Sequence, residues 1–349
     1  DLLLADPKTE SRNSFGTPAI LALANKVGLM PTRNFSSGQF EKADQINGEF
    51  VAEVIAKRGG EGRSGTPCVP GCVIRCSNIF PDKAGKKIVA SIQYENIVLL
   101  GSNCGIGDLD DIAELNDLCN QVGVDAIETG AAIGVAMEAG VINFGDASGA
   151  KDLIRQIGRG THLGRIIGHG AALTGRVLGV RRIPTLKGQA MPAYDPRALK
   201  GIGVTYATSP MGADHTAGNA FETLKTLDPH GTEKQVETSR KLQIRAAILD
   251  TLGVCLFIRT AFVKKPQLLP AVLKARYGWD LSIEDVNRLG IEALETERTF
   301  NRRAGSSEEF CRMPEFMTEE PLPPNNTVFD LSYEKMIEIW DVAPLKDAF

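Results

Sequence analysis

The sequence predicts a mainly α, multi-helical protein of two helical domains, and three observations predict it. Apolar residues recur at helical spacing in several segments with recognisable caps, period-2 strand patterning is scarce, and glycine, 36 residues in all, occurs inside patterns that otherwise read as helix. Glycine in that setting implies close helix packing or backbone brought near a ligand. A chain of 349 residues with 43% hydrophobic content buries a sizeable core, and at this length two domains are expected rather than one.

In chain order, residues 87–92, KIVASI, form the best strand candidate. Residues 108–120, DLDDIAELNDLCN, place Leu109, Ile112, Leu115 and Cys119 on one face, with acidic residues in the first turn and Gly123 just past the end. The next helix is predicted in AIETGAAIGVAMEAG, whose small residues let it lie tightly against a neighbour. Further helices are read at 151–157, 233–252, 267–276 and 283–301. Between them, KGQAMPAYDPR at 187–197 has the prolines and turn formers of a loop, and the division into domains 1–199 and 200–349 is placed beside it. The proline-rich stretch PEFMTEEPLPPNN is expected to wrap the surface without a core of its own.

The net charge of -4 has both signs interspersed, so no nucleic-acid or polyanion partner is indicated. No apolar run reaches the roughly 20 residues of a membrane span, and the first residues lack the order of a signal peptide. The chain therefore reads as soluble and cytoplasmic. Its seven cysteines are an odd number, arranged as one cluster plus singles, which fits a metal or cluster site in a reducing compartment better than a disulfide framework.

That cluster is TPCVPGCVIRC, in which Cys68, Cys72 and Cys76 fall within nine residues. Pro70 and Gly71 break any helix here, so the loop is expected to curl round a centre. An iron–sulfur cluster takes four thiolates, commonly three local and one distant; zinc takes four ligands, usually from C-x2-C pairs. The spacing is compatible with either, and with buried free thiols. A fourth thiol stands at Cys255 in DTLGVC (250–255), after a helix-breaking glycine, and NQVGVD (120–125) repeats that pattern earlier. Exposed backbone groups and a carboxylate at two helix ends suit a large polar heterocycle; singly, each is also an ordinary glycine C-cap.

Taken together, these motifs and the strings PTRNFSSGQFEKADQINGE, QYENIVLLGSNCGI, KGQAMPAYDPR and YATSPMGADHTAG resemble the aldehyde ferredoxin oxidoreductase family, the tungsten-pterin enzymes. The resemblance runs from LALANKVGLMPTRNF to FNRRAGSSEEFCRMPEFMTEEPLP. It implies two helical domains packed around a cofactor and cluster site. There a tungsten (or molybdenum) bis-pterin oxidises an aldehyde to a carboxylic acid, and a [4Fe-4S] cluster passes the electrons to ferredoxin or a dedicated electron-transfer subunit. It places cluster ligands on Cys68, Cys72, Cys76 and Cys255. Pterin contacts fall on Asn120, Gly123, Val124 and Asp125, and on Asp250, Gly253 and Val254. Glu95 in QYEN and His215 in GADH correspond to the family's acid–base residues: a carboxylate to take a proton and an imidazole to donate to the carbonyl oxygen. Tyr94 and Asp214 adjoin that pair as candidates to orient it, whereas His162, His169 and His230 read as structural.

Two departures are visible. Three residues separate Cys68 from Cys72 where the family has two, and Asn120 stands where it has aspartate, keeping an acceptor while losing the charge. Nothing in the chain corresponds to the family's N-terminal domain, so it is expected to hold the second and third domains of a longer protein, with a cavity wall that promotes self-association when uncovered. Two other readings stay open: a tungsten-dependent aromatic acyl-CoA reductase subunit, and a zinc-stabilised or degenerate module serving assembly. Cys104, Cys119 and Cys311 read as inert thiols.

Overall fold

The structure, a computed structural model, describes residues 1–306, 311–340 and 348–349; residues 307–310, within the last of the family-like strings, lie outside the described residues. Helix makes up 54% of it and strand 6%, well beyond the helix content of an average globular protein. The mainly α expectation is met, and sixteen α-helices are found among the described residues. They fall into two compact units, Leu4–Ala198 with Pro314–Val328, and Leu199–Met313 with Asp1–Leu3 and Phe329–Phe349. The chain crosses between units more than once, which a single boundary does not describe.

The first unit opens with α1 (Pro7–Phe15), α2 (Leu21–Lys26) and α3 (Gly48–Arg58). A three-stranded antiparallel sheet follows: β1 (Arg63–Thr66), β2 (Ser77–Pro81) and β3 (Lys87–Ala90). The main body comprises α4 (Tyr94–Leu100), α5 (Leu109–Val122), α6 (Ala126–Glu138), α7 (Ala147–Arg159), α8 (His162–Gly168) and α9 (Ala171–Leu178). Asp108 caps α5 by accepting from the amides of Asp110 and Asp111. The small residues of α6 serve the predicted purpose. A Cβ on Gly130 would lie 2.7 Å from the Leu99 carbonyl of α4, so the two backbones are as close as glycine allows. Residues 187–197 are not purely loop, because β4 (Thr185–Leu186) and β5 (Gln189–Ala190) form a hairpin whose two turn residues, Lys187 and Gly188, have φ of 53° and 81°.

The second unit holds α10 (Lys200–Thr208), α11 (Gln235–Thr251), α12 (Arg259–Lys264), α13 (Leu268–Tyr277) and α14 (Ile283–Arg303). Its core gathers Ile244, Ile248, Leu249, Phe262, Leu273 and Val286. Then α15 (Glu315–Glu319) returns to the first unit and α16 (Tyr333–Ile337) to the second.

The proline-rich stretch departs from its expectation. Phe316, Met317 and Leu322 are fully buried, so 314–328 contributes to the core of the first unit instead of draping over it. The cause is polar as well as apolar. Arg197, 1% exposed, donates to both carboxylate oxygens of fully buried Asp195 and to the carbonyls of Phe35 and Glu320, and its guanidinium stands 5.4 Å from the Phe316 ring. A buried guanidinium is tolerated only when its donors are used in this way. The same network steadies Arg33, Asn34 and Phe35, three successive left-handed residues with φ of 45°, 52° and 60°. Such residues cost about 1–2 kcal/mol each. Here Asn34 also donates to the Arg182 carbonyl at 2.8 Å.

No single helix among the described residues is long and apolar enough to cross a membrane.

Candidate functional site

The cysteine loop is the connection of the β1–β2 hairpin. Thr66 pairs with Ser77, so the loop enters and leaves at one end of the sheet. Within it the Cys72 amide donates to the Val69 carbonyl across Pro70 and Gly71, with Gly71 at φ 78°. Proline then glycine at those two positions is the signature of a type II turn, and it is the curl that the sequence predicts. Arg75 Nε donates to the Gly65 carbonyl at 2.7 Å, tying the loop to its stem. Cys68 is exposed, Cys72 and Cys76 are half-buried, and none of the seven cysteines is in a disulfide. Among the described residues, no three His, Cys, Asp or Glu side chains are gathered into a metal-holding set.

The two glycine motifs share one geometry. In residues 120–125, Gly123 follows α5 with φ 78° and ψ 39°, and the Val124 amide donates back to the Cys119 carbonyl at 3.0 Å. In 250–255, Gly253 follows α11 with φ 64°, and the Val254 amide donates to the Leu249 carbonyl at 2.8 Å. Both are helix ends closed by a left-handed glycine and a bond five residues back. A Cβ on either glycine would meet nothing within 4 Å, so close packing explains neither. Asp125 then caps α6 by accepting from the Glu128 amide; Cys255 precedes the short 3-10 turn Leu256–Ile258. Asn120, Asp125, Asp250 and Cys255 are all exposed.

Glu95 lies in the first turn of α4. Its Oε2 accepts from the Ala193 amide at 2.8 Å, while the hydroxyl of the neighbouring Tyr94 donates to the Ala193 carbonyl at 2.7 Å. Two consecutive side chains therefore clamp both polar backbone groups of one residue in KGQAMPAYDPR. Burial, with Tyr194 and Glu95 nearby, pushes the Tyr94 phenol well above its usual range, so it stays a donor.

His215 belongs to the second unit, its Nδ1 3.9 Å from Asp214 Oδ1. Asp214 in turn accepts from the Thr216 amide and hydroxyl, both at 2.8 Å. Partial burial, then the charge of Asp214, raises the Asp250 carboxyl above its ordinary value; burial and the charge of Asp250 raise Glu297. The structure thus brings Asp250, Asp214 and Glu297 into one electrostatic group beside His215. Glu297 carried no signal in the sequence, since it is 47 positions from Asp250 on a different helix. Glu128 was missed as well: its two carboxylate oxygens accept from the amides of Ala171 and Ala190, each at 2.8 Å, and so tie the first turn of α6 to the start of α9 and to β5. His162 and His169 are exposed rather than packed in the core.

A family model described as "Aldehyde ferredoxin oxidoreductase, domains 2 & 3" matches residues 2–340. The chain belongs to the aldehyde ferredoxin oxidoreductase family. The tungsten-containing aldehyde ferredoxin oxidoreductase of Pyrococcus abyssi (strain GE5 / Orsay) is 31% identical over 338 residues, covering 88% of this chain and 53% of the relative. That of Thermococcus kodakarensis is 31% identical over 335 residues, and that of Pyrococcus furiosus 29% over 333, with the same coverage. The chain spans about half the length of the curated relatives it matches.

Proposed function

We propose that this chain is the C-terminal part of a tungsten-pterin, iron–sulfur oxidoreductase that oxidises an aldehyde to a carboxylic acid and passes the electrons to ferredoxin. The observation that carries this reading is the shared geometry of residues 120–125 and 250–255. Two helix ends, far apart in sequence, use a glycine whose missing Cβ leaves open space and follow it with an exposed polar group. A large polar ring system with edge donors and acceptors fits such an opening, and the family relationship gives that ring its name.

The donor chemistry of the loop fits a [4Fe-4S] cluster: three thiolates on one hairpin connection, with Cys255 proposed as the fourth. Binding would draw Cys68, Cys72 and Cys76 together by closing the loop about its Pro70–Gly71 turn. Asn120, Asp125 and Asp250 would hold pterin amines and amides, with the amides of Val124 and Val254 already committed to the helix ends. When bound, the metal–pterin group supplies the oxidation chemistry.

The remaining work falls to side chains. Glu95, fixed by the Ala193 amide, takes the proton from the attacking oxygen, as a general base held in hydrogen-bond reach must. His215 donates to the aldehyde oxygen as charge builds there. Asp214 stands beside the imidazole, its Oδ1 3.9 Å from Nδ1, and Asp250 and Glu297 belong to the same group of carboxyls.

The test uses the natural protein that carries this chain. Cys255→Ser should lower iron content, and aldehyde-dependent reduction of a viologen dye should be seen in the wild type. Unchanged iron in the variant would remove Cys255 from the ligand set; no aldehyde-dependent reduction would count against the reaction.

A further inference from the structure

Residues 251–279 contain five cations, Arg259, Lys264, Lys265, Lys274 and Arg276, and not one acidic residue, within a chain where Asp and Glu outnumber Lys and Arg by 43 to 39. Arg259 is paired with Glu222 and Lys274 with Asp280, each at 2.8 Å, both carboxylates lying outside the run. This run forms α12, α13 and the residues just after them. Its inward side is satisfied: Phe262, Leu269 and Leu273 are buried in the core of the second unit. The outward side is nevertheless apolar in part, with Val263 43%, Val272 54%, Tyr277 55% and Trp279 50% exposed. Single exposed apolar residues are ordinary, but three on two consecutive helices with Trp279 just past the second, interleaved with cations, are not explained by core packing. Tyr277 and Trp279 stack at 4.7 Å between centroids, and the Arg276 guanidinium lies 5.3 Å from the Tyr277 ring. Rigid aromatics beside arginine are the residue types that anchor protein interfaces.

We propose that the exposed surface of α12 and α13 is the docking face for an acidic electron-carrier protein, a proposal that rests on the oxidoreductase reading above. Charge selects the occupant, because the exposed cations Lys265 and Arg276, set among exposed apolar and aromatic residues, attract an acidic partner and steer its approach. Position selects the function of that partner. Cys255 is exposed and precedes the turn Leu256–Ile258, which runs directly into α12, so the thiol assigned to the cluster stands at the start of the docking surface. The carrier accepts, one at a time, the electrons released by aldehyde oxidation.

The experiment measures binding of a purified acidic ferredoxin to the natural protein by biolayer interferometry at low and high NaCl. Three variants are compared with wild type: Lys265→Glu with Arg276→Glu, Trp279→Ala, and the control Lys83→Glu with Lys86→Glu on the sheet of the first unit. The first two should weaken binding about tenfold or more at low salt. Wild-type affinity should fall as salt rises, with a shallower dependence in the charge-reversed protein. The control should stay within about twofold, as for a rim charge outside the interface. Equal affinity in all four proteins would overturn the proposal. So would the absence of ferredoxin binding together with wild-type binding to phosphatidylglycerol vesicles, which would reassign the surface to a membrane. Viologen-coupled aldehyde oxidation needs no docking and reads the catalytic assignment separately, so its loss in wild type would strike that assignment while the binding comparison still decides this one.

Discussion

Gly123 and Gly253 are where sequence, conformation and function meet most closely. Each holds a left-handed φ that costs a residue with a Cβ about 1–2 kcal/mol, and each faces open space. Gly123→Ala should therefore lower stability by about 1 kcal/mol, checked by urea unfolding, because strain is introduced without a clash. Arg197 is the opposite case. It is the cation paired with the Asp195 carboxylate in the core of the first unit, and Arg197→Met should cost about 3–5 kcal/mol by leaving that carboxylate buried without its partner. Glu95→Gln in the natural protein should abolish aldehyde oxidation while metal content is unchanged, since the Ala193 amide still finds an acceptor and only the proton-taking function is lost. Near-normal turnover would remove Glu95 from the chemistry.

At the level of elements, α11 and α14 carry a pH dependence that can be signed. The carboxyls of Asp250 and Glu297 are raised in the fold, by burial and by neighbouring negative charge. Their contribution is fully present below the ordinary carboxyl range and is lost as pH rises through the raised values. Asp250 also lies in the last turn of α11, where the helix dipole disfavours an anion. Asp250→Asn should accordingly raise the Tm of this chain at pH 7 and have little effect near pH 3.5, measured by thermal unfolding. Other elements show why reading was uneven. Helix α5 was legible because Asp108 and Gly123 mark its ends and its apolar face is regular. Helix α10 was not: all nine residues from Lys200 to Thr208 are buried, so no polar face gives a period to read. Strands β1 and β2, RSGT and SNIFP, are short and lack alternation, and their pairing depends on contacts the sequence does not order locally. The clamp of Ala193 by Tyr94 and Glu95 was equally hidden, since it joins residues 98 or more positions apart.

For the molecule as a whole, the cysteines divide by environment. Cys104 and Cys119 are buried, and burial pushes the Cys104 thiol up beyond the usual range and Cys119 up to about 12. Both should resist a thiol reagent at pH 8 until the chain unfolds, while Cys68 and Cys255, which are exposed, react in the metal-free protein. Mass spectrometry of the labelled peptides distinguishes the sets. This contrast was partly foreseen, because spacing singled out the loop and left the other thiols inert. What local sequence could not show is that 314–328 returns to complete the core of the first unit.

Metal content decides whether this chain carries the cluster and the metal–pterin group. Elemental analysis for iron, tungsten, molybdenum and zinc on the natural protein carrying this chain, purified without oxygen, tests it most directly. The expected result is about four irons per chain, as a [4Fe-4S] cluster requires, together with tungsten or molybdenum in proportion to pterin. Zinc alone, or no metal, would contradict it and would make TPCVPGCVIRC a structural loop.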